Sequence, residues 1–215
     1  MIHIGSGIYR VAGHDLTSPY DDASYIATYD KCHVMIDAGS GGNINAMLTY
    51  IMYLVSDIRE INYLIVTHAH HRNSGGAAYL REIIPTLSII AHTPDSYYLR
   101  NPDKNYNRFV EELGEQRPVY VSIEISEEIR VVRVCDREEI KIIHTPCHTE
   151  GSISILIRRG DLRYAFVGGL LEENPMSSSS CEKSFEKILS EKPDVTCSSS
   201  GCIYGFDNLR NLLGE

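Results

Sequence analysis

Short apolar bursts at residues 8–11, 24–28 and 34–36 open the chain, the last running into Asp37-Ala38-Gly39. Bursts of this length predict a meander of antiparallel strands. From residue 43 to 59 the apolar positions change period: Ile44, Met47, Leu48, Ile51, Leu54 and Val55 recur at helical spacing, and Asn43 is placed to cap them. Tyr63-Leu64-Ile65-Val66 is then a buried strand that delivers Thr67 and a histidine cluster to a loop at its C-terminal end. A second helix is predicted over 75–84, halted by Pro85, followed by a strand over 88–91 that ends in His92. Residues 94–117 are polar, rich in Tyr and partly helical, which suits a lid over a cleft, with Tyr97, Tyr98 and Tyr106 either lining a pocket or half-buried against the core. Strands resume over 119–125, 129–134, 141–144, 153–157 and 162–167, and helix 185–190, strand 195–197 and helix 206–213 close the chain. The doubled βα pattern has no glycine-rich nucleotide fingerprint. It predicts an α+β fold in which two sheets pack face to face with helices outside.

Composition narrows this picture. A length of 215 residues suits one domain spanning 1–215, and 43% hydrophobic with 23% charged residues excludes disorder and fibrous architectures. The runs of Ser at 177–180 and 198–200 are too short to link domains. A formal charge of −9 argues against a nucleic-acid partner, because phosphate binding needs clustered Lys and Arg. No apolar run approaches the length of a membrane span, and the opening residues lack a secretory pattern, so no membrane partner and a cytoplasmic location are expected. Six cysteines, Cys32, Cys135, Cys147, Cys181, Cys197 and Cys202, are scattered without a CxxC and read as reduced thiols.

Candidate chemistry lies in two segments. His68 and His70 stand two apart after an apolar strand, and Thr145-Pro146-Cys147-His148-Thr149-Glu150-Gly151-Ser152 places another histidine between two strands. Three neutral imidazoles leave a fourth tetrahedral position for water on a zinc ion, which lowers the pKa of that water towards neutrality.

Together with Asp37, Gly75-Gly76 and Phe166-Val167-Gly168-Gly169-Leu170-Leu171 in this order, these segments resemble the metallo-β-lactamase superfamily, of the glyoxalase II-like hydrolase kind, over nearly the whole chain. The resemblance implies a four-layer αββα sandwich with a metal cleft along one edge of the sheets. It makes His68, His70 and His148 the ligands of the first metal, and Asp37 an acid that orients the site. The departures are equally specific. Arg72 stands where the family has an aspartate ligand of the second metal, Asn73 where it has a histidine, Gly169 where it has the bridging aspartate, and Cys202 is assigned the place of the last histidine. A guanidinium does not bind a cation and glycine brings no side chain, so a one-metal centre is expected.

The resulting expectation is a mononuclear zinc hydrolase, with iron or manganese ranked behind zinc. A metal-bound hydroxide would act on a small ester, thioester or lactone-like substrate. Arg72 is assigned to clamp a carboxylate or oxyanion, and His71 is the proton acceptor beside the ligands, with Glu150, Glu172 and Glu173 more distant. Cys202 either lies near an open site or completes a closed His3Cys one. The alternative is a catalytically impaired member that binds a metal or ligand. A homo-oligomer is compatible with the sequence, which leaves the substrate unspecified.

Overall fold

The computed structural model describes residues 1–135 and 138–213. Seven strands form the first sheet in the order β1 (Ile2–Gly5), β2 (Ile8–Ala12), β3 (Ser24–Thr28), β4 (His33–Ile36), β5 (Ile61–Ile65), β6 (Ser88–His92) and β7 (Ile123–Ile125). The first four pair antiparallel, as the opening pattern predicts, and β4 to β7 pair parallel. The second sheet runs β13 (Gly201–Tyr204), β12 (Val195–Ser198), β11 (Leu162–Phe166), β10 (Ile153–Arg159), β9 (Glu138–His144) and β8 (Ile129–Val134).

Alternation along each strand sorts side chains into layers. Val34 and Ile36 join the core between the sheets while Met35 faces the outer helices, and Ile65 lies inside while Leu64 and Val66 lie outside. The inner layer continues through Ile90, Ile142, Ile155 and Phe166. Over the first sheet lie α1 (Ile44–Met52), the short α2 (His71–Ser74), α3 (Ala77–Ile83) and α4 (Asp95–Arg100). Over the second lies α5 (Ser179–Ser190), whose buried Cys181, Phe185 and Ile188 recur on one face, Phe185 and Ile188 packing on Ile143, Ala165 and Val167. A last helix, α6 (Phe206–Leu213), follows β13. This is the four-layer αββα sandwich.

Three local expectations change. The helix predicted to reach residue 59 stops at Met52, because Asp57 caps a separate 3-10 turn, Ile58–Glu60, with Glu60 capping it reciprocally. Only Ile123–Ile125 of the strand predicted over 119–125 pairs; Val119 and Val121 pack into the outer core instead. The segment 94–117 is tied down: Leu99 and Asn107 are fully buried, and Tyr98 stacks on Tyr106 with ring centroids 3.6 Å apart, while Tyr97 is exposed.

The reading of six reduced thiols is corrected. Cys32 is bonded to Cys135, Cys147 to Cys181 and Cys197 to Cys202. The first bond closes the turn between β3 and β4 onto the end of β8. The second joins the residue before His148 to α5, and the third links facing positions of the β12–β13 hairpin. Disulfides belong to oxidising compartments and to intracellular proteins of hyperthermophiles, so the thiols no longer support a reducing cytoplasm. Among the described residues no helix is long and apolar enough to cross a membrane.

Candidate metal centre

Strand ends on one edge of the sandwich supply the site. Asp37 follows β4, Thr67 to His70 follow β5, His148 lies between β9 and β10, Gly168 to Glu173 follow β11, and Ser199 follows β12. Backbone bonds join these loops: Ile153 N donates to Thr67 O at 2.9 Å and Ser199 N to Gly168 O at 2.9 Å.

His68, His70 and His148 converge so that one nitrogen from each lies within 4.8 Å of the others. Their hydrogen bonds set which nitrogen faces inward. Thr67 Oγ1 donates its single proton to Asp37 Oδ2 (2.7 Å), so towards His68 Nδ1 at 3.0 Å it must accept. His68 therefore carries its proton on Nδ1, and its Nε2 lone pair is buried without a hydrogen-bond partner among the described residues. His148 likewise donates from Nδ1 to Glu173 Oε1 at 2.8 Å, turning Nε2 to within 2.9 Å of His70 Nδ1. Burial holds the His68 imidazolium pKa well below its ordinary value and that of His70 down to about 3, with lesser contributions from His148 and Arg108. Two buried neutral imidazoles, and a third aimed by a carboxylate, form a donor set that fits a divalent transition metal such as zinc.

Asp37 does not touch the cluster. It accepts from Thr67 N at 2.8 Å and acts on His68 through the Thr67 hydroxyl. Burial pushes its carboxyl up to about 7 against the opposing effect of these bonds. Glu173, a distant candidate base from sequence, is instead the partner that aims His148. Its position three residues beyond Leu170, in a loop, carries no periodic signal that would have marked it.

The expected roles of Arg72, His71 and Cys202 are corrected. Arg72 Nε donates to Asp22 Oδ1 at 3.0 Å and its guanidinium also reaches Pro19 O, so its charge is already engaged. His71 is buried, its Nδ1 accepts from Val110 N at 3.1 Å, and its Nε2 lies against Gly75. The Cys202 sulfur is bonded to Cys197, which removes the fourth donor of a closed His3Cys site. The side chain that meets Asn73 is Ser199, whose Oγ accepts from Asn73 Nδ2 at 3.0 Å; Asn73 Nδ2 also approaches Asp37 Oδ2 at 3.3 Å. At Gly169 a Cβ would lie 2.5–2.6 Å from Cδ2, Cγ and Nε2 of His148, so the imidazole ring lies where a bridging aspartate would begin. Glu172 stands at the rim near His148, where partial desolvation raises its carboxyl pKa.

Sequence reasoning also missed Arg108. It is exposed, at a positive φ of 50°, and has no hydrogen-bond or ion-pair partner among the described residues. Asn107 Nδ2 donates to Ala69 O (2.8 Å) and His71 N donates to Asn107 O (2.7 Å), which pins this segment onto the histidine loop. The Arg108 charge is close enough to disfavour protonation of both His68 and His70.

Comparison with known proteins agrees with this fold. A probable metallo-hydrolase of Methanocaldococcus jannaschii is 28% identical over 156 residues, covering 70% of this chain and 71% of its own. An uncharacterized protein of Aquifex aeolicus is 29% identical over 183 residues, covering 77% and 81%. Among solved structures, a subclass B3 metallo-β-lactamase from a soil metagenome, MEM-A1, superposes with a TM-score of 0.74 at 16% identity, over 93% of this chain and 79% of its own. FEZ-1 from Legionella gormanii superposes at 0.75 with 15% identity, over 92% and 78%. These likenesses show a shared fold. The family model for the metallo-β-lactamase superfamily matches residues 20–200, and the chain belongs to that superfamily.

Proposed function

We propose that the protein is a mononuclear zinc-dependent hydrolase acting on a small ester, thioester or lactone-like substrate. One observation carries the reading: the orphaned, buried Nε2 of His68 converges with His70 Nδ1 and His148 Nε2 while no sulfur is available to close the site. Zinc bound there supplies a Lewis acid and lowers the pKa of water. The chain holds the ion through the three histidines, Thr67 and Glu173 maintain the tautomers of His68 and His148, and Asp37 anchors Thr67. The test is the metal content of protein purified without added metal, with hydrolysis assayed on a panel of esters, thioesters and lactones. About one equivalent of zinc, lost in His68→Ala together with turnover, is expected. Metal-free wild-type protein sinks the proposal; one tightly held zinc without turnover on any substrate identifies a metal-binding scaffold instead.

In this reading the cation that meets the substrate is Arg108, since Arg72 is paired with Asp22. A guanidinium beside the ligands favours a substrate with a carboxylate or phosphate group. Arg108→Ala is expected to raise KM for an anionic substrate about tenfold, the scale of a charge-assisted hydrogen bond of about 1.4 kcal/mol, and to leave a neutral analogue unchanged. Arg72→Ala is expected to leave both unchanged. Steady-state kinetics on a matched pair of esters checks this, and equal effects of Arg108→Ala on both esters would remove the anion anchor.

A further inference from the structure

We propose that the buried carboxylate of Asp95 is a positioning residue that holds the two ligand-bearing loops of the metal centre in register; the inference rests on the zinc reading above. Asp95 is the first residue of α4, is 1% exposed, and accepts hydrogen bonds from three separate segments. Ala69 N donates to Oδ2 at 2.6 Å, and Thr149 Oγ1 donates to the same oxygen at 2.9 Å. Gly151 N donates to Oδ1 at 2.9 Å, and the Tyr106 hydroxyl donates to it at 2.6 Å.

The sequence neighbours of these donors give the arrangement its consequence. Ala69 lies between His68 and His70, and Thr149 follows His148. Each of the three ligands is therefore adjacent in the chain to a residue that bonds Asp95. The loops arise from different sheets, β5 in one and the β9–β10 connection in the other, so their mutual position is not set by a shared strand. Beside the backbone bond from Ile153 N to Thr67 O, one carboxylate ties the two loops at the residues next to the ligands. The approach is close enough that a Cβ on Gly151 would lie 2.4 Å from Asp95 Oδ1. Ala69 is held on its other side as well, its carbonyl accepting from Asn107 Nδ2 at 2.8 Å. The fourth donor, Tyr106, stacks on Tyr98, so the same carboxylate joins the overlying segment to the ligand loops. Burial pushes the Asp95 carboxyl pKa up, and the four donors oppose that shift by favouring the ionised form.

An amide at this position has one acceptor oxygen and an NH2 group that would face two of the four donors. Asp95→Asn is therefore expected to separate the loops and weaken zinc binding, on the 10- to 100-fold scale typical of groups supporting metal ligands. Thr149→Val removes one of the four donors to Asp95, along with the contact of that hydroxyl with Ser152 Oγ at 2.7 Å, and is expected to weaken zinc binding several-fold, while Thr149→Ser keeps the hydroxyl and the wild-type affinity. The measurement is competition with a chromophoric chelator, with circular dichroism to establish folding, and the visible spectrum of the cobalt-loaded protein as a readout of ligand geometry. A purely structural role would lower the unfolding midpoint and leave affinity and spectrum as in wild type. Folded Asp95→Asn and Thr149→Val proteins that bind zinc within about twofold of wild type, with an unaltered cobalt spectrum, overturn the proposal. Should Asp95→Asn fail to fold, the Thr149 pair decides. Wild-type protein that takes up no zinc would instead overturn the zinc reading, a distinguishable result.

Discussion

Reduction of the three disulfides is expected to leave the protein marginally stable or unfolded. The bonds close loops with sequence separations of 103, 34 and 5 residues. Restricting the unfolded chain by loops of these sizes is worth ~4.7, ~3.8 and ~2 kcal/mol on the chain-entropy scale. The three loops follow one another without overlapping, so their effects approach additivity and together are on the order of 10 kcal/mol. That is comparable with the whole stability of a typical domain. Paired Ser variants should rank by loop length, with Cys32→Ser/Cys135→Ser costing most. The Cys147–Cys181 bond has a further effect, because it ties the residue before His148 to α5. Ser180 and Lys187 of α5 reinforce that tie by donating to Pro146 O and His144 O at 2.6 and 2.7 Å. Denaturant unfolding with and without reductant measures the effect, alongside thiol counting in denaturant. Six reactive thiols in unreduced protein, or an unchanged midpoint after complete reduction, would show that the bonds do not support the fold.

Restoring the family's bridging carboxylate is expected to destroy the proposed zinc centre rather than complete a second one. A Cβ at position 169 would meet three atoms of the His148 ring at 2.5–2.6 Å, well inside ordinary contact. The ring has little freedom to yield, since Glu173 holds its Nδ1 and its Nε2 lies 2.9 Å from His70. Both Gly169→Asp and Gly169→Ala should therefore displace His148, and loss of one of three ligands should lower zinc affinity by 100-fold or more, about 2.7 kcal/mol or above. Positions 72 and 73 would not help it hold a second ion, because Arg72 is paired with Asp22, and Asn73 is bonded to Asp37 and Ser199. Chelator competition and metal stoichiometry on the two variants check this. A Gly169→Asp protein that held two zinc ions, or one as tightly as wild type, would refute the steric argument.

The parts of the protein legible in its sequence are those encoded by local order. Val34-Met35-Ile36 and Leu64-Ile65-Val66 alternate between two cores because strand geometry points successive side chains to opposite faces. His68 and His70 sit two apart after a strand, and His148 sits in a run of recognisable residues, so the three-histidine cluster and the superfamily were both readable. The edge strands β1 and β13 were not readable, being exposed or half-buried and lacking a continuous apolar face.

At the candidate metal centre, sequence alone determined the identity of the three histidines and which residues, Arg72, Asn73 and Gly169, stand beside them. Tertiary structure decided which groups surround them. Asp95 lies 26 residues from Ala69 and 54 from Thr149, and Arg72 lies 50 from the Asp22 that engages it. The six cysteines follow no local spacing rule, and their pairing exists only once distant chain segments meet. Local patterns persist in sequence because they reflect backbone period. Ion pairs, buried carboxylate hubs and disulfides depend on the approach of remote segments, which only the packed sheets bring about.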